Sequence, residues 1–292
     1  MRVKRIIAIA AAAVVAFGVS ACAGQQGSGS NNAGSQFPEG STMRKIAQAG
    51  KITIGIKWDQ PRFGLKGLDG KFTGFDVEIG KLLAKELGLD PEKAIKWEES
   101  VTKAREDHII HGRVDMVIAT YTINAARKEK VAFAGPYYIA GQDILVAKGD
   151  TSITGPDSFK EGTKKVCSVT GSTPAKTIEQ YVKDKAQIVL FDVYTKCLDA
   201  LKKKQVDAVT TDNVILMGYV TQSPNDYQLV AKPFTKEPYG IGVKKDDTVF
   251  RNWINDKIEA FFSSGSYKTA WNANGSIGEM APIPTELKVD RY

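Results

Sequence analysis

Short β-branched runs alternate along the chain with segments whose apolar residues recur every three to four positions. Residues 51–56 predict a strand. Residues 76–87 predict a helix with Ile79, Leu82, Leu83 and Leu87 on one face, stopped by Gly88. A second unit follows, with strands over 95–98 and 114–119 flanking a helix over 104–111 that ends at Gly112. The same grammar recurs after Asp150: strands over 165–169, 188–191 and 206–209, with helices over 174–183 and 195–203 between them. Such alternation predicts an α/β fold with mostly parallel sheets, and two sets of it predict two lobes. Val114-Asp115-Met116-Val117 parallels Val206-Asp207-Ala208-Val209, and six residues on from each first valine stand Thr120 and Asp212. Ligands in open α/β sheets sit beyond the carboxyl ends of strands, so these two residues are expected to face one cleft.

The pattern changes at the start of the chain. Arg2, Lys4 and Arg5 precede an apolar run over 6–19 that is shorter than the ~20 residues a membrane span needs. It ends in Val19-Ser20-Ala21-Cys22, which resembles the lipobox of bacterial lipoproteins, in which the cysteine is lipidated and becomes the mature N-terminus. That resemblance implies a signal peptide over 1–21 and a lipid anchor at Cys22, holding the protein to the outer face of the cell membrane. Residues 22–41 are dominated by Gly, Ser, Asn and Gln and read as a flexible tether, with a root-mean-square reach of about 25 Å.

Charge narrows the list of partners. Of the formal +7, three positive charges sit in the leader, leaving +4. Lysine runs such as Lys202-Lys203-Lys204 have acidic neighbours, and no aromatic-basic stripe points to nucleic acid. With Cys22 assigned to lipid, Cys167 and Cys197 remain as a pair. Outside the cytoplasm a disulfide is expected, since a strand and a helix of one lobe can bring two Cα atoms within about 4 to 7 Å; two buried thiols are the alternative. His108 and His111 lie three apart on a predicted helix with no third ligand, so an exposed structural pair is expected rather than a metal site. Thr170-Gly171-Ser172-Thr173 is too short for a phosphate loop and lacks its lysine, and no cofactor is expected.

Gly74-Phe75-Asp76-Val77-Glu78-Ile79, followed by Leu83-Ala84 and Leu87, resembles the signature of the bacterial extracellular solute-binding protein family for polar amino acids, family 3. Thr120-Tyr121-Thr122 with Arg127, Phe133 and Pro136-Tyr137 resembles that family's ligand segment, and Gly171-Ser172-Thr173 and Thr211-Asp212-Asn213 resemble its second-lobe contacts. The resemblance covers about residues 42–285 and extends to the ligand-binding domains of ionotropic glutamate receptors. It implies a two-lobed, type II binding-protein fold with chain crossings near 138–142 and 236–240. Lobe 1 is then 42–139 and 240–292, including helices over 253–262 and 267–271, and lobe 2 is 140–239. It also implies a receptor rather than an enzyme, handing an amino acid to the permease subunits of an ABC importer. The signature itself reads as structural: Gly74 permits a tight turn, Phe75 packs under it, and Asp76 stands near free N–H groups at a helix start.

A zwitterionic amino acid needs a cation for its α-carboxylate and an anion for its ammonium. Arg127 suits the first, because its planar fork makes two parallel bonds, and Asp212 suits the second. Thr120, Tyr121 and Thr122 come from the ligand segment, and the two threonines add hydroxyl or backbone contacts. Ser172 and Thr173, just before Pro174, offer hydroxyls and free N–H groups. Each has a plainer alternative: Arg127 as a surface charge, Asp212, Ser172 and Thr173 as helix caps. Lys57, directly after the first strand, and Arg62, in the same loop, are candidates for a side-chain carboxylate, Lys57 acting with Thr173. Lys57-Trp58-Asp59-Gln60-Pro61 is similar to actinobacterial glutamate receptors. The expected ligand is glutamate or aspartate, with glutamine the nearest alternative; the plainer reading turns Lys57 to solvent and makes Asp59 a loop cap. A sensor subunit for a membrane kinase and an exported enzyme of the same fold, such as a cyclohexadienyl dehydratase, are the other classes. No nucleophile–base pair supports the enzyme.

Overall fold

The computed structural model describes residues 34–274 and 282–292; the expected signal segment, Cys22 and the part of the expected tether up to residue 33 lie outside the described residues. The described chain opens with α1 (Thr42–Ala49), capped by Ser41, whose hydroxyl accepts the Arg44 N–H, and stopped by left-handed Gly50. Then come β1 (Ile52–Ile56) and a small three-stranded sheet of β2 (Asp59–Gln60), β3 (Gly64–Lys66) and β4 (Phe72–Thr73). Helix α2 (Phe75–Glu86) buries Ile79 and Leu83 as its spacing predicts. It is followed by β5 (Ile95–Glu99), α3 (Arg105–Ile110), β6 (Met116–Val117), α4 (Ala125–Lys128) and the long β7 (Ala132–Ala140).

Gly141 separates β7 from β8 (Gln142–Ala147), which enters the second lobe. That lobe continues with β9 (Val166–Val169), α5 (Thr173–Ile178), β10 (Ile188–Phe191), α6 (Tyr194–Lys202), β11 (Ala208–Asp212), α7 (Asn213–Gln222) and β12 (Tyr227–Leu229). The chain returns through β13 (Glu237–Val243) to α8 (Thr248–Ser264) and α9 (Ser266–Ala273). Strands β7 and β13 pair along their length, Glu237 opposite Ala140 and Tyr239 opposite Tyr138, so the crossing between lobes is a two-stranded ribbon.

The two five-stranded sheets have the orders β5-β1-β6-β13-β7 and β10-β9-β11-β8-β12. Both are mixed rather than mostly parallel. In the first, β1 runs parallel to β5 and β6, while β13 is antiparallel to β6 and β7. In the second, β9 is parallel to β10 and β11, while β8 is antiparallel to β11 and β12. The antiparallel members are those next to the crossings. Local alternation of strand and helix reports the parallel units but not the direction in which a chain arriving from another lobe enters a sheet.

The repeated Val-Asp motif has one structural role in both lobes. Asp115 donates its N–H to the Thr53 carbonyl at 2.8 Å and accepts the Thr53 N–H on Oδ2 at 2.7 Å; Asp207 does the same with Lys165 at 2.8 and 2.7 Å. Each aspartate thus fixes the register of its strand against a parallel neighbour, β1 in the first lobe and β9 in the second. Thr120 and Asp212 then fall at the same end of the two sheets.

Aromatic rings fill the lobe 1 core: Phe63, Phe75, Tyr137, Tyr239 and Trp271 are all buried, with Phe75 and Trp271 edge to face at 5.0 Å. In lobe 2 Cys167 and Cys197 are bonded, with Cα atoms 5.5 Å apart, fixing α6 to β9. His108 is buried, its Nδ1 3.2 Å from Ser100 Oγ, whereas His111 is exposed beside Asp107, so the two are not the exposed pair expected. The last segment lies along β7: Asp290 donates its N–H to the Gly135 carbonyl, and the Phe133 N–H donates to Tyr292 Oη.

Candidate functional site

A narrow cavity of about 20 Å³ separates the lobes where the two strand ends meet. Gln60, Thr102, Arg105, Thr120, Thr122 and Arg127 line it from lobe 1; Ser172, Thr173, Pro174, Tyr194, Thr211, Asp212 and Ile215 line it from lobe 2. A cavity of that size holds about one water, so the lining side chains face one another across a nearly closed cleft.

Asp212 ends β11 and is buried. Its Oδ2 accepts the Tyr239 hydroxyl at 2.6 Å, while Oδ1 has no hydrogen-bond partner among the described residues. Burial pushes the Asp212 carboxyl up to about 7; Glu237 nearby pushes the same way, and the Tyr239 hydroxyl, Arg127 and Arg105 oppose them. A buried carboxylate oxygen without a donor suits an incoming ammonium group.

Arg127 sits on α4, a short helix started by Asn124, whose side chain accepts the Arg127 N–H at 2.9 Å. Its guanidinium donates to the Thr122 carbonyl at 2.6 Å and across the cleft to the Gly171 carbonyl at 3.2 Å, with Glu106 3.6 Å from Nε. Burial lowers its pKa to about 10, which leaves it cationic at neutral pH. Thr120 has φ 45°, a left-handed backbone uncommon for a side chain of this type. It is held there by Asp76, whose Oδ2 accepts the Thr120 N–H at 2.9 Å and whose Oδ1 accepts the Tyr137 hydroxyl at 2.6 Å. Asp76 therefore serves the site and not its own helix, which has no side-chain cap. Its carboxyl is raised to about 6, chiefly by burial.

Ser172 both lines the cavity and caps α5, accepting the Ala175 N–H at 3.0 Å. Thr173 donates to Glu237 Oε2 at 2.7 Å and lies 3.5 Å from Thr122 Oγ1 on the facing lobe. The structure thus brings Thr120, Thr122, Arg127, Ser172, Thr173 and Asp212 together, and places the other three candidates elsewhere.

Tyr121 is fully buried behind the wall. Lys57 does not line the cavity: only 1 % exposed, its Nζ lies 3.6 Å from Asp59 Oδ1. The β2–β3 hairpin folds back over it so tightly that a Cβ at Gly64 would stand 2.5 Å from the Lys57 carbonyl oxygen. Arg62 reaches over the rim, donating to Thr221 Oγ1 at 3.2 Å and to the Asn274 carbonyl at 2.8 Å.

Arg105, and not Lys57, is the second cation that lines the cavity. It is buried, donates to the Thr102 carbonyl at 3.3 Å and the Ala119 carbonyl at 2.8 Å, and lies close enough to Lys57 for the two charges to oppose each other. The available signal was its spacing: Arg105 and Ile109 are four apart on the buried face of α3, an unusual place for an arginine. Tyr194, whose hydroxyl accepts from Thr211 Oγ1 at 2.6 Å, was also missed.

The family model for bacterial extracellular solute-binding proteins, family 3, matches residues 52–273. The chain belongs to this family. Among its relatives, the glutamate-binding protein GluB of Corynebacterium efficiens is 35% identical over 291 residues, covering 97% of this chain and 94% of that protein. The ABC transporter glutamine-binding protein GlnH of Bacillus subtilis is 37% identical over 265 residues, covering 90% of this chain and 94% of that protein. Among solved structures, an ancestral arginine-binding protein bound to arginine matches with a TM-score of 0.72 at 34% identity, covering 78% of this chain and 99% of that one. Family membership makes the chain an extracellular solute-binding protein of two-lobed fold, with its cavity in the cleft between the lobes.

Proposed function

We propose that this receptor binds an acidic amino acid, glutamate or aspartate, and delivers it to the permease subunits of an ABC importer while anchored to the outer face of the cell membrane through lipidated Cys22. The observation that carries the ligand is the charge pattern of the cavity. Two guanidinium groups, Arg105 and Arg127, and one carboxylate, Asp212, line it. An acidic amino acid presents the complement, two carboxylates and one ammonium. In this reading Arg127 takes the α-carboxylate, Asp212 Oδ1 takes the ammonium, and Arg105 with Gln60 and Thr102 takes the side-chain carboxylate. A basic side chain would leave Arg105 facing a like charge in a buried site. The name of the Corynebacterium relative agrees with this choice.

Glutamine is the second reading. Gln60 and Thr102 offer neutral partners at the same end, and the Bacillus relative is named for that ligand. Calorimetry with glutamate, aspartate, glutamine and arginine on the parent and on Arg105→Gln separates the two. The acidic reading expects the parent to prefer glutamate or aspartate, and the variant to lose about a hundredfold for them with a much smaller loss for glutamine. Tight binding of arginine, or equal losses for acid and amide, would overturn it. For the anchor, Cys22→Ser is expected to release receptor into the soluble fraction, and unchanged membrane retention would refute it.

A further inference from the structure

Both cavity arginines rest on one aromatic ring. The Arg105 guanidinium carbon lies 4.3 Å from the centroid of Tyr121, and that of Arg127 lies 4.9 Å from it. The backbone on either side of the ring holds them too: Arg105 Nη1 donates to the Ala119 carbonyl, two residues before Tyr121, and Arg127 Nη1 to the Thr122 carbonyl, the next residue. Two guanidinium groups this near one another repel, and burial removes much of the water that would screen them. The face of an aromatic ring carries partial negative charge and attracts a guanidinium, an attraction that strengthens on desolvation.

The ring is itself fixed. Phe133 meets it edge to face at 4.7 Å. Gly242 leaves the space it occupies, since a Cβ there would stand 2.9 Å from Tyr121 Cε1. The hydroxyl points toward Glu106, while the aromatic face meets the two arginines.

We propose that Tyr121 is a positioning residue for dicarboxylate recognition, its ring holding Arg105 and Arg127 together against their mutual repulsion so that each meets one carboxylate. The proposal rests on the acidic-ligand reading and adds to it a residue that touches no ligand. A ring with this role sets the ratio of glutamate to glutamine affinity, whereas a ring that only fills space leaves the ratio alone.

The test is calorimetry with glutamate and glutamine on the parent, Tyr121→Phe, Tyr121→Leu and Gly242→Ala, each first checked for folding by circular dichroism and thermal melting. Tyr121→Phe keeps the ring and is expected to stay within about twofold of the parent. Tyr121→Leu is expected to lose about tenfold for glutamate and about threefold or less for glutamine, within the range of a buried cation–π contact. Gly242→Ala, which displaces the ring without removing it, is expected to lower the same ratio. A folded Tyr121→Leu with the parent's ratio, or Tyr121→Phe as impaired as Tyr121→Leu, overturns the proposal. If Tyr121→Leu does not fold, an unchanged ratio in Gly242→Ala overturns it. A parent that prefers glutamine defeats the ligand reading instead, so the two failures are distinguishable.

Discussion

Pro61 on lobe 1 and Gly218 on lobe 2 meet backbone to backbone, so closely that a Cβ on Gly218 would lie 2.5 Å from the Pro61 carbonyl oxygen. Around this contact the Asp59 carbonyl accepts the Tyr219 hydroxyl at 2.8 Å, and Asp59 Oδ2 accepts the Tyr194 N–H at 2.9 Å. None of the four touching groups belongs to a charge expected to hold ligand. The lobes therefore meet at a contact that depends on the absence of one methyl group.

Gly218→Ala tests this directly. Alanine inside α7 favours the helix by about 1 kcal/mol over glycine, so the ligand-free protein should melt no lower than the parent. Affinity should fall about tenfold or more, and small-angle scattering at saturating ligand should show a larger radius than the parent. Parental affinity together with a parental radius would show that the lobes close without this contact.

Proton binding at Asp212 should make ligand affinity depend on pH. The carboxyl is raised to about 7, and an ammonium ligand favours its ionised form. Below pH 7 the ligand must displace a proton, so affinity should weaken toward tenfold per unit as pH falls from 7 to 5, and should level off above about pH 8. Calorimetry in buffers of different ionisation enthalpy should detect proton release near pH 6. Asp212→Asn should bind weakly and without that slope.

The bond between Cys167 and Cys197 closes a loop with a sequence separation of 30, a constraint on the unfolded chain of roughly 3 to 4 kcal/mol. Replacing both residues by alanine should lower the melting temperature by roughly 10 °C. Affinity at low temperature should change little, since neither sulfur lines the cavity. An unchanged melting temperature would show that packing of α6 on β9 suffices without the bond.

Asp76→Asn should couple stability to binding. The buried carboxylate accepts both the Thr120 N–H and the Tyr137 hydroxyl, and an amide presents only one oxygen to two donors. A loss of about 1 to 3 kcal/mol in chemical denaturation is expected, with weaker ligand affinity because Thr120 is released from its left-handed backbone. Normal affinity in the folded variant would show that Thr120 keeps its conformation unaided.

What the sequence revealed about the site followed strand ends. Thr120 and Asp212 were legible because Asp115 and Asp207 repeat one local rule in both lobes, and the residues beyond a fixed register must meet at the sheet ends. Lys57 was misplaced because direction after a strand depends on what folds over it, here the hairpin carrying Gly64, and periodicity carries no trace of that contact. Arg105 was missed for the converse reason. In a short helix with acidic neighbours it reads as a solvated charge, and what buries it is the Ala119 carbonyl, fourteen residues further on, together with the Thr102 carbonyl just before the helix. Residue type pointed to a cation near the cleft, but tertiary packing decided which cation lines the cavity.

Strand β7 is the outer strand of its sheet, and the last segment of the chain takes up its outward groups at Gly135 and Phe133. An open sheet margin is a template on which a neighbouring molecule can add a strand of its own, and self-association of that kind begins with just such unpaired groups. Here the molecule finishes its own hem. The seam that would otherwise invite a second copy also runs into the ribbon joining the lobes, so a receptor stitched to its neighbour at this margin would be gripped by the strand that carries its chain from one lobe to the other.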